Sequence, residues 1–344
     1  MKILHVLWGL ENGGIETMLV NVVNEQVLCG DRVFIIIINN LVNKDLLNKI
    51  NPKVKIFQIG RNVGNKKIWP IFKINFILLV IYPQIIHFHF LNIAKIFFKY
   101  PKIKFITTIH NPRFTDRYFR KTDVFIAISN SVSHSVKEIN NKISPIICYN
   151  AIDFKLLNKK DIYRPIKNLV CVGRLIDTIK GQSVIIEAIR ILKFDYNINI
   201  SISFIGEGPS KNHLQNLTKK LKLENNINFL GNKSNDWVME NLQSYDLFIQ
   251  ASKYEGFGLT ALEAIGARLP LILSNVDGHL ELSENGKYAT LFKCNDPKDL
   301  ADKIVELSNK FETLENKSIK SFDFAINKFS IKKQVDCLNE IYKL

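Results

Sequence analysis

Short runs rich in isoleucine, valine and phenylalanine recur along this chain, spaced so that a helix fits between several of them. That alternation constrains the fold more than any other feature. KILHVLW (2–8), RVFIIII (32–38), KVKIFQI (53–59), QIIHFHF (84–90), KFITTIH (104–110) and VFIAIS (124–129) have the length and β-branched content of strands. Stretches such as IETMLVNVVNEQVLCG (15–30) fit covering helices. Near-continuous apolar strands separated by helices predict a mostly parallel sheet buried on both faces.

The polar stretch NKKDIYRPIKN (158–168) interrupts the pattern, which then restarts. LVCVGRL (169–175), ISISFIGEG (200–208), INFLG (227–231), LFIQAS (247–252) and LPLILSN (269–275) read as strands. SVIIEAIRIL (183–192), KNHLQNLTKKLKL (211–223) and LTALEAIGA (259–267) read as intervening helices, and DPKDLADKIVELSNK (296–310) as a capped amphipathic one. Two Rossmann-like α/β domains are expected, at 1–160 and 161–328, with FSIKKQVDCLNEIYKL (329–344) as a last helix. The join of two such domains is a natural ligand cleft.

The 344 residues suffice for two cores, and the 5 cysteines have no paired spacing, which points to a reduced compartment without structural zinc. MKILHVLWGLENGG reaches glutamate and glycine too early for a signal peptide, and INFILLVIY (74–82) is too short to span a bilayer. The charge is lopsided. Residues 1–160 carry 23 basic against 9 acidic residues, a net +14, while residues 161–344 carry a net +1. The basic groups RNVGNKK (61–67), KIFFKYPKIK (95–104) and RYFRK (117–121) are interleaved with aromatics and isoleucines. An anionic membrane surface is the favoured partner, a solubilising surface the bland alternative, and nucleic acid the weakest of the three.

Glycine turns follow several strands. Gly13 and Gly14 in GLENGGIET (9–17) precede a helix, where bare backbone amides approach a phosphate closely. The spacing is not GxGxxG, and IIIINN (35–40) lacks the acidic ribose reader of nicotinamide enzymes. In VGRLIDTIKG (172–181), Arg174 offers a planar fork to phosphate oxygens and Lys180 a mobile point charge, and IGEGP (205–209) supplies Gly206 and Glu207 beside them.

The segment EGFGLTALE (255–263) places two carboxylates around a fresh helix start. Gly256 and Gly258 let the backbone turn tightly, and the helix that follows presents free amides to an anion. An acid beside a diphosphate repels it, so Glu255 and Glu263 are read as acceptors for sugar hydroxyls on either side. That is the outline of a nucleotide sugar. A helix-capping and a solvated carboxylate are the structural alternative.

With these pieces the chain resembles the retaining GT-B glycosyltransferases of family 4, which build bacterial lipopolysaccharide, capsule and exopolysaccharide. The resemblance is carried by GGIE (13–16), HFH (87–89), TIH (108–110), NAID (150–153), VGRL with Lys180, GEG (206–208) and above all EGFGLTALEA (255–264). It implies a GT-B fold, two doubly wound parallel-sheet domains facing a cleft with the C-terminal helix crossing back to the first. It further implies that Glu263 holds the donor ribose, Glu255 contacts the transferred sugar, and Arg174 and Lys180 neutralise the diphosphate. Amides around Gly14, Phe257 and Gly258 assist, with Gly13, Gly206, Glu207, Gly256 and Leu259 completing the donor contacts. His110 falls beside the donor sugar, near Ser129 and Asn150. Asp277 and Gly278 stand where many members have paired glycines, and Ala151 where glycine is common.

The function so implied is sugar transfer, with retention, from a UDP- or GDP-sugar to a glycan acceptor, lipid-diphosphate-linked, at the inner face of the cell membrane. A soluble acceptor is one alternative, and a non-catalytic nucleotide- or nucleic-acid-binding protein another. No DxD stands at a strand end and the histidines show no metal-ligand spacing, so neither metal nor cofactor is expected.

Overall fold

The computed structural model describes residues 1–11, 13–65, 67–110 and 121–344. Most of the basic group expected at 117–121, together with Lys66 and with Asn12 of the first glycine turn, lies outside the described residues. The chain divides into two compact units, one formed by Met1–Ala151 with Ile331–Leu344 and the other by Ile152–Ser330.

In the first unit β1 (Lys2–Leu7), α1 (Gly14–Leu28), β2 (Arg32–Asn39), α2 (Lys44–Asn48), β3 (Lys55–Arg61), α3 (Trp69–Ile81), β4 (Ile85–Phe88), β5 (Lys104–Ile109), β6 (Val124–Ala127), α4 (Asn130–Ile139) and β7 (Ile146–Ile147) follow one another. The strands form a seven-stranded parallel sheet in the order β3-β2-β1-β4-β5-β6-β7. Apolar side chains on both faces of these strands explain the parallel arrangement, since helices must cover each side. The strand order reverses between β1 and β4, the position where open α/β sheets take ligands at their carboxyl ends.

The second unit runs β8 (Asn168–Val172), α5 (Asp177–Lys180), α6 (Gln182–Phe194), β9 (Ser201–Ile205), α7 (Lys211–Lys220), β10 (Ile227–Gly231), α8 (Asn235–Asn241), β11 (Leu247–Gln250), α9 (Leu259–Gly266), β12 (Leu271–Ser274), α10 (Asp277–Leu282), β13 (Thr290–Phe292), α11 (Pro297–Ser308) and α12 (Leu314–Phe329). Its six parallel strands are ordered β10-β9-β8-β11-β12-β13, with the reversal between β8 and β11. The last helix, α13 (Ile331–Lys343), returns to the first unit. There Val335, Leu338, Ile341 and Tyr342 pack with Met18 and Val22 of α1. Spaced at helical intervals, these residues put one apolar face of α13 inward.

Candidate active site

At the β8/β11 reversal, side chains from two strand ends converge. Gln250 and Ser252 alternate at the carboxyl end of β11 and so share one face. Glu255 Oε2 accepts from Gln250 Nε2 at 2.8 Å and from Ser252 Oγ at 3.1 Å. Lys180, in the last turn of α5, places Nζ 2.6 Å from the same oxygen. All three contacts fall on Oε2. Burial by itself raises the Glu255 carboxyl, but the Lys180 ammonium, His279 and these hydrogen bonds outweigh it and hold the group below its usual value.

Arg174 follows β8, is exposed, and makes no ion pair among the described residues. The loops that carry it and Gly206 touch backbone to backbone. A Cβ on Gly206, whose φ is +136°, would lie 2.1 Å from the Gly173 carbonyl oxygen, so no side chain fits between the β8 and β9 turns. Glu207 points outward and pairs with Lys211 at 2.6 Å. Its own carbonyl accepts from the Leu175 amide, binding the two turns together.

Gly258 enters α9 with φ +98°, the left-handed region that the turn before this helix requires. Phe257 is buried, its ring edge-on to Phe329 at 5.1 Å, and so anchors a loop otherwise made of small residues. Gly256 and Leu259 are half-buried on either side. Glu263, one helical turn into α9, is buried with Asn235 Nδ2 donating to Oε1 at 3.3 Å. Burial pushes its carboxyl up to about 7, against the single hydrogen bond from Asn235.

His279 completes this region. Its Nδ1 donates to the Ser274 carbonyl at 3.0 Å, while the Ser274 hydroxyl donates to the Ser252 carbonyl at 2.6 Å. Burial pushes the imidazole down to about 4 although Glu255 opposes this, so the ring is neutral at neutral pH and its Nε2 is bare, with no partner among the described residues. The adjacent Gly278 lies so close to the Glu255 backbone that a Cβ there would sit 2.5 Å from the Glu255 carbonyl oxygen.

In the first unit, the β1/β4 reversal gathers histidines far apart in sequence. The register of β1 on β4 sets His5 opposite His87, and His89 follows two residues on. The rings of His87 and His89 stack at 4.6 Å, and His110, just beyond β5, stacks on His89 at 5.9 Å. Gln26 of α1 fixes the proton positions. Its Oε1 only accepts, so His5 Nε2 donates to it at 2.8 Å. A neutral His5 then has a bare Nδ1, which accepts from His89 Nε2 at 3.0 Å. His89 Nδ1 is thereby left as a lone pair, without a partner among the described residues. Tyr342, whose phenol burial keeps protonated, donates to His87 Nδ1 at 2.7 Å, and His87 Nε2 donates on to Thr108 Oγ1 at 2.6 Å.

The histidines have no metal-ligand spacing along the sequence, yet the fold brings ligand nitrogens of His5, His87 and His89 within 4.8 Å of one another. Parallel pairing of β1 with β4 makes neighbours of residues more than eighty positions apart. A cation bound by all three would have to break one hydrogen bond of His5 and one of His87, since both nitrogens of each are engaged. Burial lowers the pKa of every member, His5 and His110 to about 4. Both nitrogens of His110 are shielded and unpartnered among the described residues.

Gly13 and Gly14 stand at the start of α1, where the acidic side chain of Glu16 also lies, so close that a Cβ on Gly13 would meet Glu16 Oε2 at 2.3 Å. Ser129 is buried and caps α4 by accepting from the Val132 amide at 3.1 Å. Asn150 is buried with Oδ1 unpartnered among the described residues.

The structure thus joins Lys180 to Glu255, sets Arg174 free beside the Gly206 turn, and gives Glu263 a separate partner in Asn235. Gly13, Gly14 and His110 belong to the other unit. Sequence reading passed over Gln250, Ser252, Asn235, His279 and Gln26. Two polar residues at alternate positions of the apolar run LFIQAS were the available signal for the first pair.

The family described as "Glycosyl transferases group 1" matches residues 154–320. An uncharacterized glycosyltransferase of Methanocaldococcus jannaschii is 29% identical over 233 residues, 66% of this chain and 62% of that protein, under two thirds of its length. A lipopolysaccharide core biosynthesis glycosyltransferase of Rhizobium meliloti is 24% identical over 99% of this chain and 98% of its own. Among solved structures, Anabaena HepE in complex with UDP-glucose superposes with a TM-score of 0.83 at 17% identity, covering 100% of this chain and 99% of that one, a likeness of fold. With two parallel-sheet units and a helix that returns to the first, the chain has the GT-B fold and is related to glycosyltransferases, a kinship that supports glycosyltransferase activity.

Proposed function

We propose that this protein transfers a sugar, with retention of anomeric configuration, from a UDP- or GDP-sugar to a lipid-diphosphate-linked glycan acceptor in the synthesis of a cell-surface polysaccharide. The observation that carries the reading is the Lys180–Glu255 pair at the β8/β11 switch point, with Arg174 at the end of β8 making no ion pair among the described residues. Lys180 and Arg174 neutralise the leaving diphosphate, so the charge of a divalent metal is not required. The amides of Gly258 and Leu259 at the start of α9 complete the phosphate contacts. Glu263 binds the ribose diol, and Glu255 orients the transferred sugar through the oxygen that Lys180 does not occupy.

The bond between the sugar anomeric carbon and the donor phosphate oxygen breaks as the acceptor oxygen attacks from the same face, and the acceptor proton passes to a phosphate oxygen. The first unit receives the acceptor. A neutral His110 suits orientation of a hydroxyl better than proton donation. The basic balance of residues 1–160 fits work at an anionic leaflet.

Calorimetry against UDP-, GDP-, ADP- and CMP-sugars, with and without EDTA, tests the donor assignment. Selective binding that survives EDTA and disappears in Glu263→Ala is expected. Absence of binding to every donor by folded protein would overturn it. The lipid-linked and soluble acceptor readings separate when product formation is compared on a polyprenyl-diphosphate sugar and on the free glycan.

A further inference from the structure

Helix α3 inverts the usual pattern of a helix packed on a sheet. One side, with Ile74, Leu78 and Ile81, is buried against Ile36, Ile38 and Phe88. The other side should be polar and is not. Trp69, Phe72, Phe76, Leu79 and Val80 are 72, 53, 67, 52 and 71% exposed. Their spacing of three and four residues places them on one stripe running the length of the helix. Elsewhere large exposed apolar residues such as Leu28, Ile162 and Phe194 stand singly, as on any soluble surface. A continuous stripe of this kind marks a contact surface.

Charge identifies what covers it. Not one Asp or Glu occurs between Asp45 and Asp116, a stretch centred on α3 that carries only basic charges. Lys67 precedes the helix, Lys73 interrupts the stripe, and Lys102 lies on the neighbouring segment; none of the three has a carboxylate partner among the described residues. That segment is fastened to α3, with Asn75 Oδ1 accepting from the Phe98 amide at 2.7 Å and Tyr82 donating to the Pro101 carbonyl at 3.1 Å. Beside it Lys99, Lys102 and Lys104 line an open surface groove of about 560 Å³ together with Asp123, whose carboxylate pairs with Lys99. An apolar stripe with unpaired lysines along it matches a bilayer carrying anionic lipid: acyl chains take the aromatic residues, and the ammonium groups reach back to phosphates. No helix among the described residues is long and apolar enough to cross a membrane.

We propose that α3 is a membrane-docking helix, inserted through Trp69, Phe72, Phe76, Leu79 and Val80 and held by the flanking lysines on an anionic leaflet. The surface stands on exposure and charge alone; only its use, bringing a lipid-linked acceptor to the first unit, rests on the sugar-transfer reading.

The full-length protein is sedimented with vesicles of phosphatidylcholine, with and without phosphatidylglycerol, and Trp fluorescence is quenched with brominated acyl chains. Binding that needs phosphatidylglycerol, weakens with salt and quenches Trp69 is expected. Trp69→Phe should lose most of the quenching while still binding, and Phe72→Ser with Phe76→Ser should weaken partitioning by about tenfold or more. Donor binding, measured in parallel, should be unchanged in the double variant, which separates failure of this surface from failure of the transfer reading. Vesicle binding that ignores both serines, or a soluble dimer that the serines dissociate without any vesicle binding, would overturn the proposal.

Discussion

Lys180 Nζ lies 2.6 Å from Glu255 Oε2, joining side chains 75 positions apart across the β8/β11 reversal. Both are mostly shielded from water, 26 and 13% exposed, so removing one leaves the other poorly compensated. Lys180→Met is expected to destabilise the second unit by roughly 2 kcal/mol and to weaken binding of a nucleotide sugar. Urea unfolding and calorimetry of the same variant check both. Wild-type stability with wild-type affinity would mean the pair is idle.

The Glu263 carboxyl, pushed up by burial to about 7, is only partly ionised near neutrality. A ribose diol donates to the ionised form, so donor affinity is expected to rise about tenfold between pH about 6 and 8, tracking the ionised fraction. A raised folded pKa also means that this group favours the folded state below its ordinary value of 4.5 and that the contribution is lost as pH rises through about 7. Glu263→Gln should flatten the affinity profile.

His5, His110 and His279 are each lowered by burial from 6.5 to about 4. The unfolded chain therefore binds protons that the folded chain refuses. Their contribution is fully present above pH 6.5 and is lost as pH falls through about 4, at up to about 3 kcal/mol for each group. Thermal unfolding should drop steeply across that window, and His5→Phe should make the drop shallower.

Gly278→Ala places a methyl 2.5 Å from the Glu255 carbonyl oxygen, backbone that has nowhere soft to yield. The Glu255 loop must shift, and turnover is expected to fall about tenfold or more while circular dichroism is retained. Unchanged kinetics would show that the loop relaxes freely.

Tyr342→Phe removes the donor to His87 Nδ1 at the junction of α13 and the first sheet. A loss of about 1 to 3 kcal/mol is expected in denaturant unfolding, the cost of a buried acceptor without a partner.

The sequence by itself determined the two parallel sheets, because apolar β-branched runs alternating with helices have few other ways to bury both faces. It also determined the last helix, whose apolar positions repeat at helical spacing, though not the unit it docks on, and the carboxylates and glycine turns of residues 172–181 and 255–263, where chemistry is concentrated in short segments. Only the tertiary structure decided which groups meet. Lys180 reaches Glu255 because β8 and β11 are neighbours in the sheet though not in the chain. His5 lies beside His87 and His89 because β1 pairs with β4, and Gln26 and Tyr342 then set their protons from two helices. The apolar outer stripe of α3 was equally hidden, since a helix apolar all round does not say which side the sheet will cover. Local pattern follows from local residues, whereas strand order, and with it every contact across the sheet, is settled only when the whole chain packs.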